Sequence, residues 1–311
     1  MKKTLHTKLQ TVFILFLIFL SIWVLSDSLK GFAQGIASNQ SLEVSPASQE
    51  IPTDPGATIK IKATITNKSS ATVPINVRIE DFTASGEEGQ VALVEKSPYS
   101  LTTWTTVNPS SFELKAGERK DVFASVSVPQ NAAGGRYASF IFSIVPKGQE
   151  TGSAANVGQE IGSLFLVRIS GPVTEQLALD EFSAPNFSEY GPITFKLKFR
   201  NSGNIHVKTA GIVNVTDMFN GKTADIVVKP TNVFPQADRV VQATLPNKFL
   251  FGRYTATAIM YFGTKNEALN ATTIFYVVPI KLLAIVIIIL FLLYTARRRL
   301  SKAFKVLFSG K

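Results

Sequence analysis

Between Phe195 and Arg200 apolar and charged residues alternate without exception, and the run breaks on Asn201-Ser202-Gly203-Asn204. Earlier, "IKIKATITNKSSATVPINV", starting at Ile59, has the same alternation and breaks on Asn67-Lys68-Ser69-Ser70. A period of two puts one set of side chains on each face of an extended strand, so each run reads as a half-buried β-strand closed by a polar turn. Similar runs predict strands at 59–66, 73–80, 91–94, 122–128, 137–145, 163–170, 194–200, 211–216, 240–245, 254–261 and 272–277. No amphipathic helical period appears among them, and Pro, Gly, Asn and Ser separate them at β-sandwich spacing. The pattern predicts an all-β fold.

The ends of the chain do not alternate. Lys2, Lys3 and Lys8 precede an apolar run from Val12 to Leu25, broken only by Ser21. This is the layout of a secretory signal, and Gly31-Phe32-Ala33 places cleavage after Ala33; the rival reading is an uncleaved anchor. At the other end Val277–Ala296 is a 20-residue apolar stretch, about 30 Å as a helix and so about one bilayer core. Lys281 lies where it can snorkel, Tyr276 and Tyr294 flank the stretch, and Arg297, Arg298 and Arg299 follow. Three arginines assign that edge to the cytoplasm. The tail adds Leu300, Phe304, Leu307 and Phe308 at helical spacing among Lys302 and Lys305, a basic amphipathic segment suited to the inner leaflet or a plain positive-inside tail.

This layout changes the meaning of the net charge of +10. Of 32 basic and 22 acidic residues, four Lys and one Asp lie in 1–33, and seven basic residues and no acid lie in 281–311. The segment between is neutral, with 21 of each. The basic balance therefore reflects targeting and topology, and a nucleic-acid partner is not expected. The chain has no cysteine, so an exported fold must rest on packing alone.

The strand-and-turn pattern is part of a longer repeat. "FELKAGERKDVFASVSVP" follows the first Asn turn and "VFPQADRVVQATLP" the second; "GGRYASFIFS" and "FGRYTATAIM" come next in turn. The first copy carries the extra segment "TASGEEGQVALVEKSPYSLTTWTTVNPSS". The repeat predicts two tandem immunoglobulin-like sandwiches: a signal peptide at 1–33, sandwiches at 34–175 and 176–278, a transmembrane helix at 279–296 and a cytoplasmic tail at 297–311. The stretch 146–162 reads as a long hairpin loop inside the first sandwich, the alternative being the hinge itself. Asn67 and Asn201, and Tyr137 and Tyr254, are the repeated positions. In immunoglobulin-like sandwiches a Tyr at the start of a late strand bonds back to its own chain and pins a corner. Ser139 and Ala256 then stand where antibody domains carry a cysteine.

Little chemistry remains. After signal removal His206 is the one histidine, which leaves no Cys–His pair and no multi-His zinc site. Beside its Asn turn it reads as exposed or packed on the turn. Asp81, Glu87 and Glu88 form the nearest approach to a carboxylate cluster, without Ca²⁺-loop spacing, and read as a solvated turn. No catalytic, metal or cofactor site is expected. Tyr99 and Trp104, in the inserted segment, are the candidate ligand-binding residues, as rings that stack on sugars or that plug the sandwich end. The sequons at Asn67, Asn186, Asn214 and Asn270 matter only in a glycosylating host.

The stretch "LEVSPASQEIPTDPGATIKIKATITNKSSATVPINVRIEDFTASGEEG", with "LKAGERKDVFASVSVPQNAAGGRYASFIFS" downstream, resembles the WxL-interacting surface proteins of Gram-positive bacteria. The layout "DMF…LFGRYTAT" before a span is similar to that of proteins from small-genome bacteria. The resemblance covers nearly the whole chain. It implies a single-pass protein of a bacterial cell membrane, its sandwiches extracellular, binding peptidoglycan or surface proteins without a cofactor. The expected function is binding or adhesion at the cell surface. The alternative is a chaperone-like assembly factor acting by β-strand augmentation; a hydrolase lacks its constellation. Mass analysis of the exported protein should place its N-terminus at Gln34; an intact Met1 would assign the first apolar run to an anchor.

Overall fold

The computed structural model describes residues 42–144 and 159–308, with backbone alone for 298–308. The signal expected at 1–33 and most of the 146–162 loop lie outside the described residues. The first sandwich comprises β1 (Leu42–Ser45), β2 (Ser48–Thr53), β3 (Thr58–Asn67), β4 (Val73–Ser85), β5 (Gln90–Val94), β6 (Thr105–Asn108), β7 (Ser111–Leu114), β8 (Arg119–Ser127), β9 (Gly134–Ile144) and β10 (Glu160–Ile169). The second comprises β11 (Leu177–Ser183), β12 (Phe187–Ser188), β13 (Ile193–Asn201), β14 (Val207–Asp217), β15 (Lys222–Val233), β16 (Ala237–Leu245), β17 (Gly252–Phe262) and β18 (Glu267–Val277). The last element is the helix α1 (Ile280–Phe308).

The two sandwiches share one topology. In the first, β1-β3-β8-β6 faces β2-β10-β9-β4-β5; in the second, β11-β13-β16 faces β12-β18-β17-β14-β15. Strand for strand the orders match, and β6 and β7 are additions of the first copy. In each, the opening segment crosses between sheets: β1 pairs antiparallel with β3 and β2 parallel with β10, as β11 pairs with β13 and β12 with β18. β9 and β10, which flank the long loop, pair antiparallel through Ser143 and Glu160, a hairpin arrangement.

Alternation dictates the cores. Phe195, Leu197 and Phe199 of β13 point inward with Phe275 and Met260 from the opposing sheet, while Lys196, Lys198 and Arg200 point outward. Ile61, Ala63 and Ile65 of β3 do the same against Phe140, Phe142 and Phe165. Fully burying one such phenylalanine contributes about 1.5–3 kcal/mol, so a cysteine-free chain has enough core to close two sandwiches.

Each alternating run ends on an asparagine that is also buried. Asn201 Nδ2 donates to the carbonyls of Ile205 and Val233, both at 2.8 Å, and its Oδ1 accepts from Gly203 N–H. Asn67 Nδ2 donates to Ala71, Leu114 and Lys115 carbonyls, and its Oδ1 accepts from Ser69. One carboxamide thus closes the turn that follows it and ties that turn to the chain entering the neighbouring strand. The polar break read from the sequence is in both copies the packed corner of the sandwich.

Replacing Asn201 by Ala leaves two buried carbonyls and an amide without partners and should cost about 2–4 kcal/mol, lowering the thermal midpoint by several degrees. Asn201→Asp should not rescue it, because a carboxylate cannot donate to the two carbonyls. An unchanged midpoint in a melting curve of N201A would remove Asn201 from this role.

Candidate functional site: the inter-sandwich junction and an open sheet edge

The linker between β10 and β11 is short, and the turn after Asn201 folds onto it. Asn204 Nδ2 donates to Pro172 C=O (3.1 Å), its Oδ1 accepts from Thr174 N–H (2.8 Å), and its own carbonyl accepts from Gly135 N–H of the first sandwich (3.2 Å). Two residues on, His206 is 1% exposed. Its N–H donates to the Tyr137 hydroxyl at 2.7 Å, and that hydroxyl lies 3.1 Å from His206 Nδ1. Which of Tyr137 Oη and Nδ1 donates is set by the imidazole tautomer. Nε2 lies 3.0 Å from Glu50 Oε1, too poorly aligned for a hydrogen bond, and Lys208 approaches Glu50 Oε2 at 3.5 Å. Gly135 makes room: a Cβ there would sit 2.1 Å from the Tyr137 hydroxyl.

A second contact comes from the β4–β5 hairpin. Val240 N–H of β16 donates to Glu87 C=O, and Lys198 Nζ meets Glu87 Oε1, both at 2.5 Å. The Arg239 guanidinium lies against Gly89, where no side chain intervenes. Between the contacts Phe234 packs edge-on against Phe82 and Tyr137, with ring centres 5.4 and 5.2 Å apart. The hairpin and β13–β16 also border an open cleft of about 460 Å³ lined by Glu87, Lys196 and Gln242.

Several sequence expectations change here. Tyr254 bonds its own chain at Phe251, accepting from its N–H and donating to its C=O, as a corner tyrosine does. Tyr137 instead crosses to the other sandwich, because the inserted segment occupies its flank: Tyr137 N–H donates to Tyr99 C=O. His206 is buried rather than exposed, covered by Tyr137 from 69 residues earlier. Asp81 is not in a solvated turn; it is buried, and its Oδ1 accepts from Leu101 and Thr102 N–H, ordering the 3-10 turn at Thr102–Trp104. Glu87 serves the junction. Tyr99 and Trp104 are half-buried: Tyr99 packs beside Tyr137 at 6.1 Å, and Trp104 lies on the core edge under Arg136. Neither ring is a free stacking platform. Among the described residues no group of three or more His, Cys, Asp or Glu is placed to hold a metal ion.

The sheet edges are the other candidate. On the first sandwich β2 covers β10 from Leu164 to Ile169. On the second, β12 covers only Tyr276 and Val277 of β18. Tyr276 N–H points away from β17, to Asn186 C=O. The β17–β18 register has no shift, so the N–H and C=O of Ala268, Asn270, Thr272 and Ile274 also point outward; among the described residues no strand is hydrogen-bonded to them, although β11 packs close by. From Ala268 to Val277 this edge holds no charge, no proline and no bulge, the devices that ordinarily guard an edge. The opposite margin of the same sheet, β15, has Lys222, Asp225, Lys229 and Pro230.

α1 is one helix of 29 residues, and its Ile280–Arg297 segment is long and apolar enough to cross a membrane, with none of its surface buried. Lys281 pairs with Glu189 at 3.2 Å, and Arg297 stacks on Tyr294 at 4.2 Å. Arg298 and Arg299 lie on the same helix.

No family model matches the chain. No curated protein matches it either. Among solved structures it is similar to the class 5 fimbriae chaperone CfaA (13% identity, 75% of this chain and 98% of that one, TM-score 0.38). It is also similar to the E. coli chaperone DraB (12%, 76% and 95%, 0.34) and the Pseudomonas aeruginosa CupB2 chaperone (10%, 74% and 98%, 0.34). Each of these similarities is at low identity and a TM-score below 0.4.

The junction should weaken in acid. Burial pushes the His206 imidazole below its ordinary 6.5, outweighing the pull of Glu50. A base whose folded pKa is depressed binds more protons unfolded, so its stabilisation is present above the unfolded value and is lost as pH falls. Burial raises Glu50, but His206 and Lys208 together hold it below its ordinary 4.5, so its own loss comes at lower pH. The urea midpoint of residues 34–278 should therefore fall as pH drops from about 6.5 toward 5. His206→Gln should flatten that limb; an identical pH profile would show that His206 does not carry it.

Proposed function

We propose that this chain is a membrane-anchored envelope protein that binds another protein by strand addition at the β18 edge. The observation that carries the reading is that edge: a ten-residue uncharged run in which four successive outward-facing backbone positions pair with no strand among the described residues. An extended segment laid beside it would take those hydrogen bonds and lengthen the sheet. Leu269, Ala271 and Thr273 lie half-buried on the inner face at this margin, so the partner strand would alternate, apolar toward the core and polar outward. α1 supplies the anchor, with Arg297–Arg299 on the cytoplasmic side and the sandwiches outside. The resemblance to WxL-interacting surface proteins agrees with a partner in the bacterial envelope. Binding to wall glycan through Tyr99 and Trp104 has less support, because both rings are committed to packing. His206, the histidine among the described residues, is spent on the junction.

Thr272→Pro is the test. Its amide bonds nothing among the described residues, so proline there should shift the thermal midpoint by only a few degrees while removing a ladder donor. A photoreactive residue at Ile274 should crosslink to a protein in intact cells, and T272P should abolish that product. Crosslinking that survives T272P, or sedimentation of the 34–278 fragment with protein-free wall sacculi, would favour recognition by side chains and wall glycan instead.

A further inference from the structure

The end of the second sandwich from which α1 departs is apolar in an unusual way. Phe219, Phe249 and Phe251 stand 84%, 91% and 64% exposed. They come from two loops far apart in sequence, β14–β15 and β16–β17, that the fold brings to one level: Asp217 pairs with Tyr254, and Gly252 with Val277. The loops touch one another. A Cβ on Gly252 would sit 2.7 Å from the Met218 methyl, and Gly191 N–H, from the segment after β12, donates to Lys248 C=O at 3.1 Å.

The rings are exposed because their backbones are held that way. Asp217 Oδ1 accepts from Phe219 and Gly221 N–H at 2.9 and 2.8 Å, which turns Phe219 outward. Tyr254 Oη fixes both the N–H and the C=O of Phe251. Leu250 is buried in the core, so its neighbours on either side point away from it. A rigid cluster of exposed phenylalanines marks an apolar partner. Its position says which one. Only Val278 and Pro279 separate the end of β18 from α1, so Val277 and Ile280 are at most about 10 Å apart.

We propose that these loop tips insert into the outer leaflet beside α1, seating the sandwich on the bilayer at the headgroup–acyl boundary. This rests on α1 being a membrane span. Phenylalanines at that depth, with tyrosines such as Tyr276 and Tyr190 at the interface, are what an interfacial surface requires. Lys248, beside Phe249, is placed for lipid phosphates, while the nearest acids are engaged, Glu189 by Lys281 and Asp217 by its own turn. Seating would stop the sandwich swinging on its two-residue connection and would hold the β18 edge at a fixed angle to the membrane.

The chain lacks cysteine, so single-cysteine variants label cleanly. Full-length F219C, F249C, V227C and L290C, each carrying an environment-sensitive fluorophore, are reconstituted in phosphatidylcholine–phosphatidylglycerol vesicles containing nitroxide lipids. The L290C label should be quenched by nitroxides deep in the acyl chains. The F219C and F249C labels should lose most of their fluorescence to nitroxides near the acyl carbonyl, and V227C, exposed on β15, should lose none. If L290C is quenched and the loop labels behave like V227C, the seating is wrong and the span stands. If L290C is not quenched, the span is wrong and the seating falls with it. Loop labels shielded from aqueous iodide yet unquenched by lipid would mean a second copy or another protein covers them, which also overturns the proposal.

Discussion

The carboxamide of Asn201 is the constraint on which the arrangement of this molecule depends. It is buried, and each hydrogen bond it makes goes to a backbone group that would otherwise be orphaned. An unmade bond of this kind costs about 1–3 kcal/mol per group, so the turn has one conformation rather than several. That conformation projects Asn204 onto the linker and His206 under Tyr137. The ion pairs around the junction are weaker arguments for its rigidity. Lys198 with Glu87 and Lys208 with Glu50 are partly solvated, and such pairs contribute about 0–1 kcal/mol. The buried, uncharged bonds decide how the two sandwiches meet.

Asn67 is the same device in the first copy, but its turn meets no second sandwich; Lys68 there reaches only Glu43. The copies have diverged in what surrounds the device. The inserted segment of the first copy supplies Tyr99, whose carbonyl fixes Tyr137, and the 3-10 turn that Asp81 organises. The β4–β5 hairpin then docks on β16 through Glu87. The β4–β5 side of copy one therefore joins the domains, while β18 of copy two, the counterpart of β10, is covered by its neighbour β12 at only two residues.

What the sequence showed clearly was any strand with one buried and one wet face. β3 and β13 alternate because each inner side chain has a core to fill, and the repeated Asn is visible because it ends both runs. The strands that alternation missed lie mostly at margins. β15 is twelve residues long yet holds Lys229-Pro230 opposite Ala210, where the register shifts and an edge strand tolerates proline. β1, β6, β7 and β12 are too short to show a period. His206 could not be placed from its neighbours, since what buries it arrives from the other copy. Phe219, Phe249 and Phe251 carried a signal that was readable: apolar residues among Asn, Gly and Lys, in turns close to a membrane span. A core reading of phenylalanine hides such a pattern until the turn is drawn.

The open edge and the neutral charge balance of the segment between the two end blocks belong together. With 21 basic and 21 acidic residues between the end blocks, long-range steering toward a charged partner supplies little. Recognition then has to come from short-range geometry, and a sheet margin provides it: the hydrogen-bond spacing sets the register, and alternate half-buried positions select the side chains that enter. Such a margin is useful only if it is kept from pairing with its own copies. In the proposed arrangement, an anchor that confined the chain to one plane and a seat that fixed the tilt of the sheet would restrict which edges approach one another. The edge could then stay unguarded by charge, because its orientation would do part of the guarding.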